Sequence, residues 1–238
     1  MAAVRPLLEL QARWSAIPAR DELLVERLAA RDGHHLFLYP FEGRLVHEGL
    51  AALLAFRLAR LRPITFTLAV NDYGLELLSP DPAPFDEALA AGLLDPAGLA
   101  EDVLASLNAA EMARRQFRDI ARVAGLLFQG FPGQRKAARH LQASSGLFYE
   151  VFARYDPDNL LLVQARREVL DRQLERSRLA FTLERLAAAR IRRVEIARPS
   201  PLAFPLLVDR LREASLSSEK LADRVRRMQA RLEKAAGD

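Results

Sequence analysis

Six residues in succession, Leu36-Phe37-Leu38-Tyr39-Pro40-Phe41, are apolar or aromatic. In a strand, Leu36, Leu38 and Pro40 would face one way and Phe37, Tyr39 and Phe41 the other. Such a strand is apolar on both faces and belongs inside a covered sheet. Glu22 to Ala30 is its natural partner, joined to it through Arg31-Asp32-Gly33, where glycine supplies the positive φ of a tight turn. From Arg44 to Leu61, Val46, Leu50, Leu53, Leu54, Leu58 and Leu61 recur at three- and four-residue steps, the spacing of one helical face. Ile64 to Val70 and Gly74 to Leu78 then predict a second hairpin around Asn71-Asp72-Tyr73-Gly74. The order strand, strand, helix, strand, strand predicts an α+β fold, with a small antiparallel sheet packed against a mainly helical C-terminal half.

A short helix over residues 4 to 14 precedes this unit, stopped near Pro18. The Pro-, Asp- and Ala-rich stretch Ser79 to Pro96 is a soft seam with room for a short helix. It divides an α+β subregion (1–80) from a mainly helical one (81–238), the two together forming one integrated domain. Helices are predicted over Gly98 to Leu107, Ala109 to Phe128, Gln134 to Tyr155 with a break at Ser144-Ser145-Gly146, and Asn159 to Ala189. Gly130-Phe131-Pro132-Gly133 is read as punctuation, and Asp156 as an N-cap with Pro157 at the first helical position. A late strand near 191–197 can join the sheet edge, and Pro199, Pro201 and Pro205 follow in an extended stretch. In the last helix, begun at Ser217, Leu221, Val225, Met228 and Leu232 form a narrow seam between arginines, as in a docking helix.

Composition narrows the chemistry. The 238 residues contain no cysteine, which excludes disulfides, thiolate metal sites and cysteine nucleophiles. No secretory leader and no run of eighteen apolar residues is present, so a cytoplasmic location is expected. The formal charge is +4, and 32 of 35 basic residues are arginine, a bias that a GC-rich genome also produces. Charge placement says more than the total: residues 81 to 102 lack any Lys or Arg, whereas 111 to 198 carry 18 basic and 10 acidic side chains. Neither a phosphate-binding Gly-x-x-x-x-Gly-Lys-Ser/Thr loop nor a Gly-x-Ser-x-Gly elbow, His-Glu-x-x-His pair or Gly-x-Gly-x-x-Gly fingerprint occurs. The chain is therefore not expected to be an enzyme on its own, and no catalytic, cofactor-binding or metal-binding residue is assigned.

Two groups of residues merit a chemical reading. His34, His35 and His47 with Glu42 and Glu48 would suggest a metal-dependent hydrolase if they converged, although adjacent strand histidines point to opposite faces. Trp14, the single tryptophan, follows Arg13 and suits a stacking platform beside a phosphate-binding charge; a lone tryptophan is more often part of a core or domain interface. Arg44, the group Arg135, Lys136 and Arg139, Arg166-Arg167, and Arg192 and Arg193 are further candidates for phosphate contact, each of which also fits a solvated surface.

Three stretches together resemble a known family: residues 31–44 (Arg-Asp-Gly-His-His-Leu-Phe-Leu-Tyr-Pro-Phe-Glu-Gly-Arg), Val70-Asn71-Asp72-Tyr73-Gly74, and Arg198-Pro199-Ser200-Pro201-Leu202-Ala203-Phe204. They resemble the DEAD/H-associated region that follows the helicase core of Lhr proteins, in particular the ligase-associated DEXH-box type. Gln142-Ala143-Ser144-Ser145-Gly146 and Tyr155-Asp156-Pro157-Asp158-Asn159 agree in the same order, so the likeness runs from about Gln11 to Arg227. It implies an accessory domain of a superfamily 2 helicase that moves 3′-to-5′ in DNA repair. The domain would guide single-stranded DNA while RecA-like motor domains, which use ATP and Mg and are followed by a winged helix, supply the energy. By the same resemblance Trp14 would stack on a base of the tracking strand. The motor and winged-helix domains have no counterpart in these residues, which leaves open a separately encoded piece or a fragment. The expected partners are single-stranded DNA, the motor and winged-helix domains and a DNA ligase-cluster protein, with no membrane. The alternative is a protein docking module that does not touch DNA.

Overall fold

The computed structural model describes residues 4–126, 130–131, 134–135, 138–168, 176–213 and 221–237. In chain order its elements are α1 (Arg5–Trp14), β1 (Glu22–Ala30), β2 (Gly33–Tyr39), α2 (Arg44–Leu61), β3 (Thr67–Val70), β4 (Leu75–Ser79), α3 (Phe85–Ala90), α4 (Leu99–Ala105) and α5 (Leu107–Val123). These are followed by β5 (Gly130–Phe131), β6 (Gln134–Arg135), α6 (Ala138–Tyr155), α7 (Leu160–Glu168), α8 (Arg176–Ala188), β7 (Arg190–Glu195), α9 (Ala203–Glu213) and α10 (Leu221–Gly237). The fold is α+β. Two compact units are formed, one from Met1–Ala97 with Arg178–Asp238 and the other from Gly98–Ser177.

The first unit holds a sheet of order β3-β4-β2-β1-β7. Its two hairpins are antiparallel, with Glu26 opposite Phe37 and Phe37 opposite Glu76. β7 runs parallel to β1 at the edge, with Val25 beside Arg193. That parallel pair is an addition to the antiparallel sheet expected from the hairpins; a parallel neighbour requires a crossover, and here the chain returns through α8. Gly33 adopts φ 135° at the β1–β2 turn. β2 is central, and Leu36, Phe37, Leu38 and Tyr39 are all buried. β3 is shorter than the predicted Ile64 to Val70: its pairing starts at Thr67 opposite Leu78, one residue before β4 ends at Ser79.

The two sheet faces have different cores. Leu24, Leu28, Phe37, Tyr39 and Ile196 pack with Ala16, Ala203, Leu206 and Leu207, while Met228 of α10 closes over them. On α2, Val46, Leu50, Leu53, Leu54 and Leu58 are buried, as the periodicity predicted, whereas Leu61 at the helix end is exposed and His47, Gly49, Ala51 and Ala52 are buried as well. At about 1.5–3 kcal/mol for each large apolar side chain, these two layers outweigh any single surface interaction.

In the second unit, Phe117, Ile120 and Ala121 of α5 pack with Leu162 and Ala165 of α7, joined by Phe148 and Phe152 of α6. α5 stops at a Schellman cap: Gly125 takes φ 73°, Leu126 N–H donates to Ala121 O, and Gly125 N–H donates to Arg122 O. Several sequence expectations change here. α6 runs unbroken through Ser144-Ser145-Gly146, since one glycine costs about 1 kcal/mol and the Phe148 and Phe152 contacts exceed that. Asn159, not Asp156, caps α7: its Oδ1 accepts Leu161 N–H at 3.1 Å, while Asp156-Pro157-Asp158 forms the preceding turn. The predicted helix Asn159 to Ala189 is seen as α7 and α8, with 169–175 outside the described residues. In place of pure punctuation, 130–135 contains the small β5–β6 ladder. The extended stretch after Pro199 gives way at Ala203 to α9, whose first turn tolerates Pro205 because an N–H there has no intrahelical acceptor. The expected start of the last helix at Ser217 lies outside the described residues, and α10 is seen from Leu221.

His47 ties α2 to the β3–β4 turn. Glu42 N–H donates to its Nε2 at 3.1 Å, so the proton sits on Nδ1, which donates to Asn71 O at 2.6 Å. Burial pushes the imidazole below its ordinary value, against the opposing pull of the Asn71 carbonyl. The unfolded chain therefore takes up this proton first, and the associated stability is present above about pH 6.5 and lost as pH falls below it. Thermal melts from pH 8 to pH 5 should show the midpoint falling on acidification. His47→Asn should be less stable at pH 8 by about 1–3 kcal/mol and show a flatter pH profile. A midpoint that rises on acidification, or an unchanged slope in the variant, would contradict this.

Candidate nucleic-acid interface

A buried carboxylate organises one corner of the first unit. Glu26, in the middle of β1, is fully buried. Burying a charge costs several kcal/mol unless donors replace water, and three do so here. Tyr39 Oη donates to Glu26 Oε2 at 2.7 Å, Ser200 Oγ donates to the same oxygen at 2.7 Å, and Gln11 Nε2 donates to Oε1 at 2.9 Å. Burial, followed by the adjacent negative Glu26, holds the Tyr39 phenol well above its usual range, which keeps it a donor.

Each donor also secures its own segment. Gln11 Nε2 donates to Ala16 O at 3.0 Å, and its Oε1 accepts Leu202 N–H at 3.0 Å. Ser200 Oγ accepts Ala203 N–H at 3.1 Å ahead of α9. The network thus joins α1, β1, β2 and the 198–203 turn through side chains with no spare donor on the amide or spare oxygen on the carboxylate.

Trp14 lies three residues beyond Gln11 at the end of α1, half-buried, and the Arg198 guanidinium sits 5.3 Å from its ring centroid. This is cation–π distance. A frame of buried hydrogen bonds holds a tryptophan and an arginine together while part of the indole remains at the surface. Arg13, beside it, is exposed.

The other sequence candidates are distributed differently. Arg44 opens α2 with its side chain half-exposed, its N–H donating to Asp72 Oδ1 at 3.3 Å and its guanidinium 4.0 Å from Asp209. Arg192 and Arg193 lie on the edge strand β7, Arg192 at 3.6 Å from Glu22 and Arg193 at 2.6 Å from Asp86. Arg27 also bonds Asp86, and the Arg27 hydrogen bond, then that of Arg193, holds the Asp86 carboxyl below its ordinary value against partial burial. Charged side chains on an edge strand also discourage pairing with another sheet. Arg135 belongs to β6 and Arg139 to α6, both in the second unit; Lys136 lies outside the described residues.

The histidines do not converge on a metal site. His35 Nδ1 lies 2.6 Å from Glu76 and its Nε2 3.2 Å from Asp32, beside Arg210 of α9, which bonds Asp32 at 2.8 Å. Burial raises the Asp32 carboxyl, but the Arg210 hydrogen bond and the nearby charges override it and hold it below its ordinary value. His47 instead faces Asn71 and Glu42, so the two histidines serve different elements. Among the described residues, no group of three or more His, Asp or Glu could hold a metal ion, and no helix is long and apolar enough to cross a membrane.

The sequence reading gave no role to Gln11, Glu26, Tyr39, Ser200 or Arg198. Arg198 and Ser200 stand in a stretch quoted for its resemblance, but nothing local marks either as a neighbour of Trp14. Glu26→Ala should leave two buried hydroxyls and an amide without their acceptor and lower stability by about 2–4 kcal/mol in denaturant melts. A loss under 0.5 kcal/mol would show that the network does not hold this corner.

Comparison with known proteins gives a consistent picture. Residues 17–203 match the family model described as DEAD/H associated, a span that includes Glu26, Tyr39, Arg198 and Ser200 and begins just after Trp14. The ATP-dependent helicase Lhr-Core protein 2 of Thermococcus barophilus is 25% identical over 198 residues, covering 82% of this chain and 23% of that protein. The ATP-dependent helicase Lhr-Core of Methanocaldococcus jannaschii is 22% identical over 208 residues, covering 87% and 24%. Among solved structures, the Mycobacterium smegmatis helicase Lhr bound to ssDNA and AMP-PNP matches with a TM-score of 0.72 at 27% identity, over 86% of this chain and 26% of that one. The chain spans about a quarter of the length of these relatives.

Proposed function

The chain belongs to the DEAD/H associated family, and on that premise we propose that it is the accessory domain of a superfamily 2 DNA helicase of the Lhr type, contacting and guiding single-stranded DNA. RecA-like motor domains elsewhere in the assembly bind ATP and Mg and carry out hydrolysis; this chain contributes a passive surface that holds the strand between steps. The resemblance to Lhr helicases is what supports 3′-to-5′ movement and a place in DNA repair.

The observation that carries the DNA reading is the Trp14–Arg198 pair on its buried frame. An indole offers any base a flat apolar face, worth about 1–3 kcal/mol per stacked base and nearly independent of sequence. An arginine against the ring adds charge where a phosphate backbone would pass and makes binding salt-dependent. Because Gln11 and Ser200 fix the two segments, little side-chain or loop ordering remains to oppose binding. Arg13, Arg44, Arg135, Lys136, Arg139, Arg192 and Arg193 extend the proposal as phosphate contacts; the exposed Arg193–Asp86 pair would have to open or be shared at a cost of about 0.2–1 kcal/mol, and the Arg192 pair with the largely buried Glu22 carboxylate would be shared rather than opened.

A second reading, a docking module without DNA contact, draws on α6, where Leu147, Val151 and Tyr155 recur at four-residue steps and are all exposed. Fluorescence anisotropy of the 238-residue chain with labelled single strands separates the two. The DNA reading predicts binding that weakens as salt rises, with Trp14→Ala lowering affinity about 5- to 100-fold. Absence of salt-dependent binding, together with capture by a purified RecA-like portion, would favour docking.

A further inference from the structure

Phe41 is the one non-glycine residue with positive φ among the described residues, at 58°. For a bulky side chain this is an outlier costing on the order of 1–3 kcal/mol, so burial would be the expected compensation. Phe41 is instead 48% exposed, and Tyr73, to which it is joined, is 60% exposed. Phe41 N–H donates to Tyr73 O at 3.2 Å, so the two side chains leave the backbone from adjacent points on two different turns.

Those turns are fastened to one another. Asn71 Oδ1 accepts the N–H groups of Tyr73 and Gly74 at 2.9 and 3.0 Å, which shapes the β3–β4 turn. Arg44 N–H donates to Asp72 Oδ1, and His47 bridges Glu42 N–H and Asn71 O. Arg185 holds the Glu42 carboxylate at 3.0 Å. At Gly74 a Cβ would lie 2.5 Å from Leu38 O and 2.7 Å from Tyr39 Cδ1, so the turn packs directly on β2. The Phe41 ring leans on Tyr39, with centroids 6.4 Å apart, leaving its remaining surface to solvent. Arg44 N–H is bonded to the same turn through Asp72, and its half-exposed guanidinium lies 4.0 Å from Asp209, a contact that a phosphate would share.

A strained residue whose ring is only half-covered, a second exposed aromatic on the adjoining turn and a nearby arginine make a poor core and a suitable stacking surface. We propose that Phe41 and Tyr73 form a second base-stacking site for single-stranded nucleic acid, distinct from Trp14, with Arg44 placed to meet the phosphate that links the stacked bases. Single-stranded nucleic acid fits better than an apolar protein segment, because flat rings flanked by a guanidinium match a chain of bases and phosphates, and two of the acidic groups nearby face cations of this chain, Glu42 with Arg185 and Asp209 with Arg44. Sequence-independent stacking also suits a site meant to hold any base that passes. This inference deepens the DNA reading above and rests on it, while depending on different residues.

Its test uses the intact chain, an oligo(dT) probe followed by anisotropy, and three variants: Phe41→Gly, Tyr73→Ala and Trp14→Ala. Phe41→Gly and Tyr73→Ala should each weaken binding about 5- to 50-fold with the salt slope little changed, since stacking releases no counterions. Phe41→Gly should meanwhile melt close to the parent chain, because relief of the positive φ offsets the lost contact with Tyr39; a residue retained only for structure would destabilise strongly when removed and leave affinity alone. If the parent binds and Trp14→Ala weakens it while both turn variants bind like the parent, this site is overturned and the Trp14 reading stands. If the turn variants weaken binding and Trp14→Ala does not, the reverse holds. A parent chain with no affinity for oligo(dT) at any salt concentration overturns both.

Discussion

A carboxylate in the middle of an apolar sheet face is the constraint on which the rest of this structure turns. Glu26 would be an expensive residue at that position if left alone. Its acceptor sites are filled by Tyr39, Ser200 and Gln11, which come from another strand, the approach to α9, and the N-terminal helix. Apolar contacts could hold these segments together in several sliding arrangements, since burial is non-directional. Hydrogen bonds to one buried carboxylate allow a single one. The hydrophobic layer provides most of the stabilisation, and the polar network selects the geometry in which it is realised.

That selection is why the ends of α1 and β7 meet. Trp14 follows Gln11 by three residues, and Arg198 precedes Ser200 by two, so fastening Gln11 and Ser200 to one carboxylate brings an indole and a guanidinium to cation–π distance. A similar economy appears where β2 runs into α2. His47, Asn71 and Asp72 fasten two turns by side-chain-to-backbone bonds, and the aromatic residues of those turns are left exposed. In both places rigidity lies underneath and flat apolar surface lies above. This combination suits the proposed contact with single-stranded DNA, because a platform that must first be ordered forfeits part of its binding energy.

Much of the frame was legible in the residues. Asp32-Gly33 between two apolar runs marked the first hairpin, and the Val46 to Leu61 spacing marked α2, because both signals are local and periodic. The elements misread were those governed by context. α9 was hidden by Pro199, Pro201 and Pro205, and the first-turn position that makes Pro205 harmless cannot be known until the helix start is. The break expected at Ser144-Gly146 was outweighed by aromatic packing against α5. The cap of α7 moved from Asp156 to Asn159 because two closely spaced candidates compete and only the turn geometry decides between them. The candidate site was half legible. Trp14 attracted attention as a lone tryptophan beside arginine, but its partner Arg198 is far away in the chain, and Glu26 looks like any alternating polar residue of a strand. A buried polar network is written in long-range contacts, which no periodicity reports. The histidines illustrate the converse: their closeness in sequence suggested convergence, and the sheet sent His35 and His47 to different neighbours.

If single-stranded DNA crosses this domain as proposed, Trp14 is a fixed, partly exposed platform for a base, and the chain offers a direct probe of it, since it contains a single tryptophan. Titration of oligo(dT) while indole fluorescence is recorded should give saturable quenching, with the same midpoint as binding measured by anisotropy and with loss of the signal's plateau in the Glu26→Ala chain, where the platform is no longer held. Binding that saturates while the indole emission stays unchanged would contradict the account, because the strand would then be passing somewhere other than Trp14.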